Sequence, residues 1–425
     1  MKQKVKESKK LMVKLLIVAD DFTGALDTAV QFASSGANTS VISDVDFSFS
    51  KIDPEIEVLV VNAETRHMTP ESAYETVYKI VHKAIAFGVA YILKKTDSAL
   101  RGNIGSELTA TLNATGAHHL HFIAALPKMN RKTKDGIHYI DDVPVHESVF
   151  GKDPFEPVKV SYIPDIIALQ NDVDVRLSPG ISEGQNVKGI VVYDASTDED
   201  ISDIISKIDD SVDCVVMAGC AGLAAALTKR FKFRGHPPLT ITKKPNFLVV
   251  CGSVNPITKE QLDYAASNGF QRIRLKPYQK LSPEYYESEK GKEEFRELLK
   301  KINNSKKNIL DSNDLPNTNL TMAHAKEHHL TMDDIRLNIS NTLGYILKML
   351  LEAGIEATIM ITGGDTLLGF MKQINAIELT PLYEIAPGTV VSKLMIDDTA
   401  YDIISKSGGF GEENLLVSLA EKLLT

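Results

Sequence analysis

Short apolar runs rich in β-branched residues alternate along this chain with stretches whose apolar positions recur three or four residues apart. The strand candidates are LLIVA (15–19), TSVIS (39–43), VLVVNA (58–63), AYILKK (90–95), HFIAAL (121–126), GIVVYDA (189–195), CVVMAG (214–219), FLVVCG (247–252), RIRL (272–275) and ATIMIT (357–362). Between them lie helical patterns such as residues 69–88, where Ala73, Val77, Ile80, Val81 and Ala84 share one face. Strand–helix alternation predicts an α/β fold, with mostly parallel sheets flanked by helices.

The stretch 235–246, rich in proline and poor in core pattern, reads as a linker. It would separate a domain over 15–234 from a second over 247–425, after a basic tail over 1–14. Residues 275–333 are polar, with a helix expected at 290–302 and an exposed connection through Pro316. No internal repeat stands out.

With 425 residues, two to three domains are expected at about 150 residues each. The formal net charge of −9 argues against nucleic acid as a partner, since phosphates need a basic face. Cys214, Cys220 and Cys251 lack C-x-x-C spacing and read as reduced thiols of a cytoplasmic protein. The apolar run after the basic start ends at Asp20-Asp21, too soon for a signal peptide or a membrane span.

In open parallel sheets, ligands sit beyond the carboxyl ends of strands. Polar residues directly after the apolar runs are therefore the candidates, and they form two groups. The first is acidic and lies in the N-terminal half. LLIVA runs into Asp20-Asp21-Phe22-Thr23-Gly24, then a helix that reaches Gly36, a fitting C-cap. Paired carboxylates at a strand tip can position a hydroxyl, accept its proton or bind Mg²⁺, although Asp21 or Thr23 could also simply cap the helix. AYILKK brings Lys95, Thr96, Asp97, Ser98 and Arg101 to one strand end, with Gly102 for a tight turn. VLVVNA leads to Arg66, a bidentate partner for a carboxylate.

The second group is rich in glycine. Ser253, followed by Asn255 as an N-cap and Pro256 at the first helical position, comes after FLVVCG. Gly363-Gly364-Asp365-Thr366 follows ATIMIT, and Ser407-Gly408-Gly409-Phe410-Gly411 precedes a last helix. Bare backbone amides at helix starts suit phosphate, and three such loops favour a nucleotide cradle over three separate turns.

Several familiar signatures fail. There is no P-loop, and no G-x-G-x-x-G follows a strand. The G-x-S-x-G match at 180–184 precedes a strand rather than a helix, which is the wrong context for a nucleophile elbow. The histidine groups His118, His119, His121 and His324, His328, His329 lack H-E-x-x-H order and read as structural or exposed, with metal binding the minor alternative.

LLIVADDFTGALD, NAETR, KKTDSALRGNIGSEL, DGIHY (135–139), MAGCAGLAAAL, VCGSVNP, ITGGDT and SKSGGFGEENLL occur in an order that resembles the four-carbon acid sugar kinases, over about residues 15–420. The resemblance implies a sugar-acid-binding domain, a nucleotide-binding domain and an active site in the interdomain cleft. It implies phosphorylation by ATP, with Mg²⁺, of the terminal (C4) hydroxyl of an acid such as threonate, erythronate or 3-oxo-tetronate. Asp20 or Asp21, Arg66, and the run Lys95, Thr96, Asp97, Ser98 correspond to the sugar-acid contacts. Ser253, Gly363, Gly364, Asp365, Thr366 and Gly408, Gly409, Phe410, Gly411 correspond to the ATP contacts. Asn255 and Cys220 stand where the family often has serine.

On this reading Arg66, helped by Lys95, clamps the substrate carboxylate. Asp21 or Asp20 takes the hydroxyl proton, with Asp97 competing. A homodimer is the expected assembly. Two rivals are a non-catalytic sugar-acid or nucleotide sensor, which would not need the acidic cluster, and a haloacid-dehalogenase-like phosphatase. The phosphatase wants a second aspartate two residues after the first, where Phe22 and Thr23 stand instead. The stereoisomer of the acid and the metal ligands are not legible.

Overall fold

The run 15–19 is strand β1 (Leu15–Ala19), buried along its whole length. The computed structural model describes residues 13–153, 156–178, 188–208, 214–235 and 241–425. The tail through residue 12, the match at 180–184 and residues 236–240 of the expected linker lie outside the described residues. The chain divides into two compact units, residues 1–237 and 238–425.

In the first unit, β1 is followed by α1 (Phe22–Ser34), β2 (Thr39–Ile42), β3 (Val58–Asn62), α2 (Pro70–Ala86), β4 (Tyr91–Lys95), α3 (Ile104–Thr115) and β5 (His119–Ile123). Three short strands come next, β6 (Arg131–Lys134), β7 (Ile137–Ile140) and β8 (Val143–Pro144). The unit continues with α4 (Ile163–Ala168), β9 (Val175–Leu177), β10 (Gly189–Val192), α5 (Asp198–Lys207), β11 (Val215–Gly219) and α6 (Ala221–Leu227).

The main sheet runs β2-β3-β1-β4-β11-β5-β10-β9, parallel throughout. Helices cover it: α2 packs on α3, and α1 packs on α6. That coverage explains why the strands read as continuous apolar runs rather than alternating ones. The buried residues of α2 are the five of the helical pattern, and Thr69 caps it by accepting from Ser72 N. At the end of α1, Gly36 takes φ +89° and donates to Ala33 O, as a C-cap glycine does.

The sequence pattern missed the antiparallel meander β6-β7-β8. Its first turn is Asp135-Gly136, both at positive φ, the geometry of a tight hairpin.

The second unit contains β12 (Asn246–Cys251), α7 (Pro256–Ser267), β13 (Gln271–Arg274), α8 (Pro277–Lys280), α9 (Glu289–Asn303) and β14 (Lys307–Asp311). Then follow α10 (Leu320–Glu327), α11 (Met332–Glu352), β15 (Ala357–Thr362), α12 (Gly364–Gln373), β16 (Glu378–Ala386), β17 (Thr389–Ile396), β18 (Thr399–Lys406) and α13 (Leu415–Leu423). Its sheet order is β13-β14-β12-β15-β18-β17-β16, parallel as far as β18 and antiparallel beyond.

Two parts of this sheet lie outside the strand candidates read from the sequence. The polar stretch 275–333 contains β14, an interior strand of this sheet. Its buried polar side chains find partners from other elements: Asn308 Nδ2 donates to Ile302 O and Ser305 O, although Oδ1 has none, and Asp311 accepts from Arg272 of β13. The sheet also continues past 362 through the β16–β18 meander. Among the described residues, no helix is long and apolar enough to cross a membrane.

Candidate functional site

In the first sheet, chain order turns at β1, with β3 on one side and β4 on the other. The crevice beyond such a switch point is where parallel sheets bind ligands. The loops after β1, β3 and β4 leave side by side there, and they bring the predicted residues together.

Arg66 is the hub. It donates to Asp20 Oδ2 from Nε (2.8 Å), and it forms ion pairs from Nη2 to the same oxygen (2.7 Å) and from Nη1 to Asp21 Oδ2 (2.9 Å), with Asp97 Oδ1 at 3.5 Å. Asp21 also caps α1, with Oδ1 accepting from Gly24 N at 2.9 Å. Lys95 Nζ donates to Thr96 O (2.7 Å) and sits 3.9 Å from Asp20 Oδ1, an oxygen without a hydrogen-bond partner. A Cβ built on Gly24 would overlap Lys95 Nζ and Asp21 Oδ1, so the ammonium occupies the volume that glycine leaves open. Thr96 is buried, and its hydroxyl is also without a partner.

Asp97 is fully engaged. Arg101 grips it bidentately (2.9 and 3.0 Å), and Oδ2 accepts from Ala99 N and Arg101 N. Burial alone would raise the Asp97 carboxyl, but the Arg101 and Arg66 guanidiniums override it and hold it well below the usual carboxylate range. Burial likewise opposes ionisation of Asp20, and Arg66, Lys95 and Lys94 outweigh it, so that carboxyl is lowered too.

Sequence reasoning missed several partners. Arg101 Nη1 donates to Asp153 (3.0 Å), and the Arg101 and Arg131 guanidiniums both lie against the Phe150 ring (5.1 and 5.2 Å). Arg131, the first residue of β6, donates to Ser98 Oγ, while its buried Nε has no partner. Burial lowers the Arg131 guanidinium and outweighs the pull of Asp97, and among the described residues no carboxylate is in ion-pair contact with it as Asp97 is with Arg101. Burial also pushes His138 down to about 4, leaving it neutral at ordinary pH. Its Nε2–H therefore donates to Ser98 O (3.0 Å), and Nδ1 accepts from Thr133 Oγ1 (3.3 Å). Below the cluster, Lys94 and Glu107 form a buried pair at 2.6 Å, and burial raises Glu107. The D-G turn before His138 was the available signal for this set.

In the second unit, β12, β15 and β18 are adjacent parallel strands, and the three glycine loops leave their carboxyl ends. They meet. Gly363 (φ +98°) donates to Lys406 O at 3.1 Å, and its Cβ position lies 3.6 Å from Ser253 N. A Cβ on Gly408 would fall 2.8 Å from Ser253 Oγ. Asn255 caps α7 by accepting from Ile257 N (3.0 Å), so this departure from serine keeps a capping role. Gln261 Nε2 donates to the carbonyls of Phe410, Gly411 and Glu412. Lys406, also missed, donates to Ser407 O, Gly408 O and Thr258 Oγ1, and burial lowers its ammonium to about 8. Asp365 pairs with Arg336 (3.3 Å). In the first unit, Cys220 is buried at the start of α6, its thiol 3.5 Å from Ala124 O and Ala125 O.

Two family models match this chain: a sugar-binding N-terminal domain over residues 15–227, and a nucleotide-binding C-terminal domain over residues 248–416. The chain belongs to the family built from these two domains. The chain is 29% identical to a D-threonate kinase of Salmonella typhimurium, over 95% of its own length and 97% of that protein's. It is 27% identical to a D-erythronate kinase of Heliobacterium modesticaldum, over 59% of its length and 60% of the relative's. A 3-oxo-tetronate kinase of Haemophilus influenzae is 22% identical, with 94% and 97% covered. Among solved structures, a Salmonella typhimurium LT2 protein provisionally described as a tRNA synthase superposes with a TM-score of 0.77 at 20% identity. It covers 96% of this chain and 99% of that one, and bears on the fold alone.

Proposed function

We propose that this protein is a kinase that transfers the γ-phosphoryl group of ATP to the terminal hydroxyl of a four-carbon sugar acid. The observation that carries the reading is the carboxylate–guanidinium cluster at the switch point of the sugar-binding domain, in which Arg131 has a buried Nε without a partner and, among the described residues, no carboxylate in ion-pair contact. A family member with a separate nucleotide-binding domain and kinases among its relatives supplies the other half.

Phosphoryl transfer asks a protein for positioning and charge neutralisation more than for covalent chemistry. In this reading the substrate carboxylate goes to Arg131 and Ser98. Arg66 is committed to Asp20 and Asp21, and holds the two carboxylates in place rather than clamping the acid. Asp21 takes the hydroxyl proton. Its side chain is 26% exposed, against 4% for Asp20 and 9% for Asp97, so it is the carboxylate an incoming hydroxyl can reach. Asp20 and Asp97 become positioning residues.

The backbone amides of the loops at 253–255, 363–366 and 407–411 suit the phosphates of ATP, with Ser253, Thr366 and the ammonium of Lys406 keeping the loops together. Mg²⁺ bound with the nucleotide would supply charge neutralisation to the transferring phosphates. Transfer requires the two sites to meet with water excluded, as in a closing interdomain cleft. The deciding experiment couples ADP release to a readout while offering D- and L-threonate, D- and L-erythronate and 3-oxo-tetronate. Acid-dependent ADP formation with a phosphorylated product supports the kinase. Free phosphate released only from phosphorylated acids would replace it with a phosphatase, and ligand binding without turnover would replace it with a sensor. Light scattering tests the expected homodimer.

A further inference from the structure

The second histidine group of the sequence lies at the end of α10, with His324 inside the helix and His328 as its C-cap residue, outside both clusters described above. His324, Glu327 and His328 are spaced i, i+3, i+4, which puts all three on one side of the helix. Each offers one ligand atom, and these atoms lie within 4.8 Å of one another. The two imidazoles are stacked, with ring centroids 4.0 Å apart. His328 Nδ1 is 2.9 Å from His324 O and donates to it, which turns the lone pair of Nε2 outward. A ring nitrogen tied to a backbone carbonyl while the other faces outward is the arrangement metal-ligating histidines use.

We propose that α10 carries a binding site for one divalent transition-metal ion, with His324, His328 and Glu327 as ligands. Two imidazoles and one carboxylate suit Zn²⁺, Ni²⁺ or Cu²⁺ and not Mg²⁺, which prefers all-oxygen surroundings. Bonds of about 2.0–2.2 Å need the ligand atoms to close slightly from their present spacing. The exposed Glu327 and His328 side chains do this by rotation toward the half-buried His324, without backbone movement. Three protein ligands leave at least one position for water. The ion would staple the last turn of an eight-residue helix, too short to be stable by itself. The first turn of the same helix supplies Thr321 and Met322 to the wall of a cavity of about 460 Å³.

The test uses full-length protein without a histidine tag, stripped with a chelator and titrated with Zn²⁺ against a colorimetric indicator, in the absence of nucleotide. One ion per chain is expected, together with a Zn²⁺-dependent rise in the thermal midpoint. His324→Ala and His328→Ala should each weaken binding by at least the roughly 10–100-fold that loss of an outer partner already costs elsewhere, and the double variant should abolish the midpoint shift. Glu327→Gln should weaken it less. Far-ultraviolet circular dichroism checks that the variants fold. Wild-type stoichiometry and affinity in the double variant, or no saturable binding by the wild type, would overturn the site.

Discussion

Arg66 brings two guanidinium nitrogens to a single oxygen, Asp20 Oδ2, at 2.8 and 2.7 Å, and a third to Asp21 at 2.9 Å. Adjacent carboxylates at a strand tip repel each other, and this guanidinium, paired with both, offsets that repulsion. The pair is thereby fixed in space before any ligand arrives.

Asp21→Asn isolates the base. Asparagine still caps α1, so the fold is retained, while the proton acceptor is gone. We expect kcat to fall by about 10²–10⁴-fold with both ligands still bound, read by single-turnover kinetics and calorimetry. Wild-type turnover would hand the role to another group.

Arg131→Met removes the guanidinium that lacks a carboxylate and keeps its apolar bulk. Loss of a charged hydrogen-bonding partner costs about 1.5–3 kcal/mol, so the KM for the sugar acid should rise by roughly tenfold to a hundredfold. KM for ATP should stay put. A change confined to kcat would refute the carboxylate assignment.

Gly24→Ala sets helix preference against the site. Alanine favours the first turn of α1 by up to about 1 kcal/mol, yet its methyl group collides with the Lys95 ammonium and the Asp21 cap. We expect a thermal midpoint near that of the wild type and a sugar-acid KM raised about tenfold or more, each measured directly. Unchanged affinity would mean that Lys95 plays no part in binding.

Lys94→Met strands Glu107 in the core. Both partners are almost fully buried, so removing one should cost about 3–5 kcal/mol in urea unfolding. Adding Glu107→Leu should recover most of that loss, because an apolar pair of similar volume needs no counter-charge.

Lys406 predicts a pH dependence of nucleotide binding. Burial lowers its ammonium to about 8, so the charge that organises Ser407 and Gly408 is present below pH 8 and lost above it. The nucleotide Kd should rise as pH passes 8, by no more than about tenfold per unit, and Lys406→Met should flatten the profile. For stability the sign is opposite. The unfolded chain holds this proton up to about its ordinary 10.5, so the contribution of Lys406 to stability increases between pH 8 and 10.5.

Much of this arrangement was legible. β1, its two aspartates, Arg66 and the 95–101 loop all follow from apolar runs and from the rule that parallel strands present ligands at their carboxyl ends. β14 was not, because KNILD has only two strongly apolar residues, and the amide of its buried asparagine and its buried aspartate are held by groups from other elements. Arg131 was hidden for a different reason. Its importance lies in lacking a carboxylate, and a sequence cannot show which charges end up unopposed. The D-G turn at 135–136 was readable as a hairpin and would have led to it.

That hairpin is bolted to two strand tips, those of β10 and β4. Thr133 exchanges backbone hydrogen bonds with Ala195, the amides of Asp135 and Gly136 both donate to Asp194, and His138 grips the carbonyl of Ser98. It contributes no strand to the main sheet, so the scaffold does not depend on it for its pairing. Residues 131–144 thus amount to a cassette. Its exchange between relatives offers a route to new acid preferences that leaves the phosphate loops untouched.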